Sequence, residues 1–225
     1  MTFSVAARCE RTGQFAVAVA SSSPAVAARC AHAQAELGAV TTQNITDPRL
    51  GPTALKLMAR GLDAEAACAR LQIEASFPAY RQFILIDKQG NTAAFSGARS
   101  LGIYGHAQGR DVVSAGNLLS RPDIPDAIIA SFMTSDAASQ LGARVLLAMR
   151  AGLLAGGEAG PIRSAGLILV DREAWPLADL RVDWHDTPLN ELIALWALWE
   201  PQMHDYVIRA IDPSSAPTFG VPGDL

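Results

Sequence analysis

The sequence predicts an α+β fold in which two antiparallel sheets pack face to face and helices cover both outer surfaces. Three observations predict it. The strand-like runs are joined mainly by short, glycine-containing turns of the hairpin kind. The central helical patterns come in pairs instead of alternating singly with strands, which disfavours a doubly wound parallel sheet. The strands are small and apolar, rich in Ala and Val, as runs buried between layers must be. A four-layer α-β-β-α sandwich accommodates the order strands, helices, strands, helices, strands, helix, and one domain over 1–225 is expected.

The elements follow in order. Phe3–Arg8 and Gln14–Ala20 read as strands around Glu10-Arg11-Thr12-Gly13, where the glycine supplies a permissive turn backbone. Leu37–Thr42 is a third strand, ending at Gln43-Asn44. Helices are predicted over 51–60 and 63–73, with Asp63 as the N-cap of the second. Phe83–Asp87 and Thr92–Phe95 flank a turn at Lys88-Gln89-Gly90-Asn91. Asp111–Ala115 is a short strand broken by Gly116-Asn117. Helices over 123–134 and 137–153 follow, the second burying Leu141, Val145, Ala148 and Met149 at helical spacing. Gly156-Gly157 and Gly160-Pro161 end that region. Ala165–Val170 and Leu177–Trp184 form the last pair of strands. Residues 187–225 read as a C-terminal helix, opened by Thr187-Pro188 and ended or kinked at Pro201, and then a Pro/Gly-rich tail.

Composition narrows the function. Of 225 residues, half are hydrophobic and 18% charged, which is a globular balance with ample material for a core. A net charge of −4 and only two lysines, Lys56 and Lys88, leave no electrostatic footprint for nucleic acid. Three cysteines without a CxxC spacing and four scattered histidines argue against a disulfide scaffold and a zinc site, so no metal or cofactor is expected. Arg8, Glu10, Arg11 and Gln14 interrupt the N-terminal run, so neither a signal peptide nor a membrane span is predicted, and the expected location is cytoplasmic.

Thr2 is the leading catalytic candidate. Once the initiator methionine is removed, this residue carries both a hydroxyl nucleophile and a free α-amine to take its proton. The reference pKa of such an amine, near ~8, suits a base at neutral pH. A small residue at position 2 favours removal of the methionine. Ser4 shares the Thr2 face of a strand, so both hydroxyls would line one pocket. The bland alternative is an ordinary first strand.

Other candidates are weaker alone. Ser21 and Ser22 follow the second strand, where hairpin pairing returns them to the N-terminus to hold substrate or an oxyanion. Gln43 and Asn44 offer amides to a polar substrate, or merely satisfy a turn. Gly116 lets backbone approach a ligand closely, although a plain turn explains Gly116-Asn117 equally well. Arg163 stands before an apolar strand, as a pocket group or as its exposed lip. Asp183-Trp184-His185-Asp186 is either an acid–base cluster or a polar strand end.

Taken together, these segments resemble a known family. Thr2-Phe3-Ser4-Val5-Ala6-Ala7-Arg8, Val17-Ala18-Val19-Ala20-Ser21, Gly38-Ala39-Val40-Thr41-Thr42-Gln43, Gly116-Asn117-Leu118-Leu119 and Asp179-Leu180-Arg181-Val182-Asp183 resemble the bacterial family called domain of unknown function 1028, DUF1028. So does the tail from Asp205 through Asp224. The resemblance implies a fold like that of the N-terminal nucleophile (Ntn) hydrolases, which include proteasome subunits and several amidases. It implies Thr2 as nucleophile and Gly116 or Asn117 as oxyanion donors. The expected activity is hydrolysis of amide or amide-like bonds in a small polar metabolite, with Ser4, Ser21, Ser22, Gln43, Asn44 and Arg163 shaping the pocket. The alternative is a non-catalytic ligand-binding or scaffold protein that keeps the fold. Either would accommodate a homodimer through the helix carrying Trp196 and Trp199, unless those side chains simply cover the sandwich.

Overall fold

The computed structural model describes residues 1–220. Strands β1 (Thr2–Arg8) and β2 (Phe15–Ser21) form the first hairpin. A single helical turn, α1 (Ala27–Cys30), leads into β3 (Ala31–Gln34) and β4 (Gly38–Asn44). The helix pair α2 (Leu50–Ala59) and α3 (Ala64–Glu74) precedes β5 (Arg81–Asp87), β6 (Thr92–Ser96), β7 (Ile103–Gly109) and β8 (Val112–Leu119). Then come α4 (Ile124–Thr134), α5 (Leu141–Leu154), β9 (Ser164–Val170), β10 (Ala178–Val182), α6 (Pro188–Trp199) and α7 (Met203–Ile211).

The strands make two antiparallel sheets, six-stranded in the order β10-β9-β2-β1-β8-β7 and four-stranded in the order β3-β4-β5-β6. Strand periodicity sorts their side chains into three buried layers. Phe3, Val5 and Ala7 with Ala16, Ala18 and Ala20 meet α4, α5 and α6. Val17, Val19, Ala39, Ile84 and Ile86 fill the space between the sheets. Val40, Phe83 and Leu85 meet α2 and α3. Strands buried on both faces need no polar alternation, which is why β1, β2 and β5 read as continuous apolar runs. The four-layer α-β-β-α sandwich is therefore the architecture observed.

Local chemistry explains most boundaries. Asp63 accepts a hydrogen bond from the Ala66 amide at 2.8 Å and caps α3. Buried Asp87 accepts from the amides of Gln89 and Asn91 in the 88–91 turn, and its other oxygen accepts from the Ala64 amide at 2.9 Å. One carboxylate thus ties a hairpin to the start of α3.

Several expectations are corrected. Two strands went unread: β3 is a four-residue edge of Ala-His-Ala-Gln, and β7 is an exposed edge interrupted by Gly105. Gly116 and Asn117 do not break β8; they lie within it, paired with Phe3 and Thr2. The irregularity is displaced to Leu118, whose φ of 51° is left-handed, and to a register shift opposite between Ile103 and Gly105. Glycine is required at 116 because a Cβ there would stand 2.6 Å from the Leu119 side chain. The Thr187 side chain does not cap α6; its hydroxyl meets His185 Nδ1 at 3.2 Å. Pro201 sits in a 3₁₀ turn, 200–202, that joins α6 to the unread α7. Of the tail, 221–225 lie outside the described residues.

Both tryptophans of α6 are accounted for within the chain. The Trp196 ring lies on Gly142 of α5, and Trp199 Nε1 donates to the Leu177 carbonyl at 2.9 Å. Among the described residues, no helix is long and apolar enough to cross a membrane. A Cβ at Gly142 would lie 2.4 Å from Trp196 Cη2. Gly142→Ala is therefore expected to destabilise the protein by about 1–3 kcal/mol despite alanine's better helix propensity, read as a lower urea midpoint at unchanged slope.

Candidate active site

The space between the sheets is apolar at one end and polar at the other. Period-two alternation puts Thr2 and Ser4 on the β1 face that looks toward the second sheet. Thr41 and Gln43 of β4, Gln82 of β5 and Asn117 of β8 are all buried, Asn117 standing directly opposite Thr2 in the register.

These groups form one connected chain. Ser4 Oγ donates to Gln43 Oε1 at 2.6 Å and lies 3.1 Å from Thr41 Oγ1. Gln43 Nε2 donates to Gln82 Oε1 at 2.7 Å, and Asn117 Nδ2 donates to the same oxygen at 3.1 Å. Gln82 Nε2 donates to Ser96 Oγ at 2.9 Å and to the Gly116 carbonyl at 3.0 Å. Gly116 thus presents an acceptor to this network. Asn117 Oδ1 is buried without a partner.

Thr2 itself is 6% exposed and sits at the rim of this network. Its hydroxyl donates to the Met1 carbonyl oxygen and lies 3.4 Å from Ser21 Oγ. The Ser21 hydroxyl also donates to the Met1 carbonyl and accepts from the Ser23 amide at 3.1 Å. Two hydroxyls therefore converge on the carbonyl of the residue ahead of Thr2.

A carboxyl completes the rim. Glu158 follows Gly156-Gly157, is 5% exposed, and accepts from the Ser22 amide at 3.1 Å through Oε2. Its Oε1 is buried without a hydrogen-bond partner. Burial pushes its pKa up to about 7, opposed by the nearby Met1 ammonium and by the Ser22 amide.

The structure thus gathers Thr2, Ser4, Ser21, Gln43, Gly116 and Asn117, with Ser22 contributing its main chain. Arg163 supports the rim by its backbone, since its amide donates to the Ser21 carbonyl at 2.7 Å. Its guanidinium turns away to Asp186 and lies over Trp184. Asn44 is outside the cluster: its Nδ2 donates to the Tyr80 carbonyl at 2.6 Å and its Oδ1 accepts from the Leu101 amide. Residues 183–186 do not form an acid–base cluster, because Asp186 is taken by Arg163. The residues missed were Thr41, Gln82 and Glu158. Gln82 had a readable signal, a polar side chain at period two with Ile84 and Ile86; Glu158 had none. No group of three or more His, Cys, Asp or Glu suited to a metal occurs among the described residues.

A helix-flanked double sheet with a hydroxyl cluster at its first strand defines the class of protein. The family model for DUF1028, described as a family of unknown function, matches residues 2–192, and the chain belongs to that family. A solved family member from Silicibacter pomeroyi, protein SPO2555, is similar at 27% identity and a TM-score of 0.81, over 88% of each chain. The ancestral β-subunit Anbu from Yersinia bercovieri aligns over 92% of this chain and 97% of its own, at 12% identity and a TM-score of 0.40. The comparison with curated proteins returned no match.

Two stability outcomes follow from this geometry. Gln82→Leu strands the donors of Gln43 and Asn117 in a buried layer and is expected to cost about 1–3 kcal/mol for each, measured by urea unfolding. Glu158 has a raised pKa in the folded state, so the folded protein binds the proton more tightly than the unfolded chain. Its contribution is full below the ordinary glutamate range and is lost as pH rises toward about 7. The loss is on the order of 3 kcal/mol, and Glu158→Gln is expected to flatten that part of the stability–pH profile.

Proposed function

We propose that this protein is an Ntn-type hydrolase of amide or amide-like bonds in a small polar metabolite, with Thr2 as nucleophile after removal of Met1. One observation carries the reading: the Thr2 and Ser21 hydroxyls both contact the same carbonyl oxygen at the buried start of β1. Two hydroxyls that reach one carbonyl support this reading, since acyl transfer needs an attacking oxygen at the carbonyl carbon and a donor at its oxygen.

In this mechanism the Thr2 α-amine takes the hydroxyl proton as Oγ1 attacks the amide carbon. Ser21 Oγ donates to the developing oxyanion, with Asn117 opposite Thr2 as the second donor. Collapse breaks the C–N bond, and the proton on the α-amine passes to the leaving nitrogen. Water then attacks the ester, the amine again accepting a proton, which passes to Thr2 Oγ1 as the C–O bond breaks and a carboxylic acid departs. The two lysines, Lys56 on α2 and Lys88 in the 88–91 turn, are exposed, which supports the α-amine over a lysine as the base. Gln43, Gln82 and Ser4 hold the floor of the site. Asn44 contributes by fixing the loop before Leu101, and Arg163 by holding Ser21.

A second reading has its own observation in support. The amides at the floor are almost fully used by one another, as in a structural network, which favours a non-catalytic binding protein.

Kinetics on protein lacking Met1 discriminates the two. Thr2→Ser is expected to retain activity within roughly a hundredfold, while Thr2→Ala loses at least about a thousandfold, scored by turnover and by an acyl adduct in the intact mass. Quantitative retention of Met1 in the native host, or equal activity of both variants, rejects the mechanism.

A further inference from the structure

Met1 is seated in this site as an α-aminoacyl group. Its carbonyl oxygen receives the Thr2 and Ser21 hydroxyls. Its side chain runs over Gly160, where a Cβ would stand 3.3 Å from Met1 Cε and 3.7 Å from Sδ. Its ammonium is close enough to Glu158 to favour the carboxylate. The acyl carbon bonded to the Thr2 nitrogen lies beside Thr2 Oγ1, where the acyl group of an ester on that oxygen would also lie.

Glu158 gives this seat its chemistry. A carboxyl this deeply buried is costly to ionise unless a cation or full hydrogen bonding compensates it. Oε2 has the Ser22 amide, but Oε1 is buried and has no hydrogen-bond partner. Removal of Met1 shifts the terminal amine back to the Thr2 nitrogen and vacates the space over Gly160. A cavity of about 220 Å³, bounded by Leu153, Glu158, Gly160, Ile162 and Leu189 among others, shares Glu158 and Gly160 with the Met1 seat. Its walls combine apolar Leu153, Ile162 and Leu189 with neutral Thr187 and Asn190, and because Asp186 is paired with Arg163, Glu158 is the carboxyl there with no salt bridge.

We propose that this is the acyl subsite, that Glu158 is its specificity-determining residue, and that the substrates are amides of α-amino acids with a free ammonium and an uncharged side chain. The proposal rests on the Thr2 reading and narrows it. Glu158 receives the substrate's ammonium at Oε1, the Ser21 hydroxyl donates to its carbonyl oxygen beside Thr2 Oγ1, and the side chain enters the cavity beyond Gly160. Retained Met1 would then block the subsite as well as the amine.

The test reads binding, so it does not depend on turnover. Met1 is removed in vitro with a methionine aminopeptidase and its loss checked by intact mass. L-Methioninamide and its des-amino analogue, 4-(methylthio)butanamide, are titrated by calorimetry. A charge-assisted contact predicts that methioninamide binds about tenfold or more tightly. Glu158→Gln is expected to abolish that preference, while the remote control Glu173→Gln keeps it. Equal binding of the two probes, no binding of methioninamide at millimolar concentration, or a preference that survives Glu158→Gln overturns the proposal. A Glu158-dependent preference without hydrolysis upholds the subsite and removes only the nucleophile assignment.

Discussion

Two sheets packed face to face leave a layer between them that must be filled, and this protein fills one end of it with amides and hydroxyls. That is the constraint on which the rest depends. At the apolar end, Val17, Val19, Ile84 and Ile86 supply burial that holds the sheets together. At the other end, Ser4, Gln43, Gln82 and Asn117 are equally buried, so each polar group must find a partner across the layer. Gln82 meets this by accepting from Gln43 and Asn117 and donating to Ser96 Oγ and the Gly116 and Gly105 carbonyls, joining β4, β5, β6, β7 and β8 in one exchange. A network so nearly saturated fixes the spacing of the sheets and the rotamers around Thr2.

The helix layers set the limits of that core. Gly142 lets the Trp196 ring lie directly on α5, drawing α6 against the large sheet. Asp87 anchors α3 to the smaller sheet through the Ala64 amide. Two of the buried polar atoms without a partner lie at the polar end, Asn117 Oδ1 in the layer and Glu158 Oε1 at the rim; others, such as His32 Nε2 and Trp196 Nε1, lie elsewhere. Buried polar atoms left without partners mark where a fold has not been optimised for stability alone. The proximity of Asn117 Oδ1 and Glu158 Oε1 to the start of β1 makes that terminus the candidate site.

The fold was legible where residue pattern and local chemistry coincide. The paired apolar runs of β1 and β2, the Asp63 cap and the 88–91 turn each announce themselves within a few residues. The failures came at edges and irregularities. β3 and β7 carry too few apolar side chains to register, because an edge strand is held by one neighbour's hydrogen bonds and not by burial. Gly116-Asn117 read as a breaker because glycine has that meaning in isolation; in the structure it accommodates the Leu119 side chain inside a continuous strand. In the site, Thr2, Ser4, Ser21 and Gln43 were visible as polar residues in apolar strands. Glu158 was invisible, since its role arises from where a glycine-rich connection passes the first strand.

By itself, the sequence determined the layer architecture, because alternation, capping and turn chemistry are written in neighbouring residues, and its second position made Thr2 the candidate. Only the tertiary structure decided what surrounds that threonine. It brought Ser21 to the Met1 carbonyl, sent the Arg163 guanidinium away to Asp186 and set Glu158 beside the N-terminus, across separations of about twenty to more than a hundred and fifty residues. The physical reason is that strand periodicity dictates which face a side chain takes, whereas its companions on that face depend on sheet order and register. Those are settled by packing of the whole chain, and no local stretch contains them.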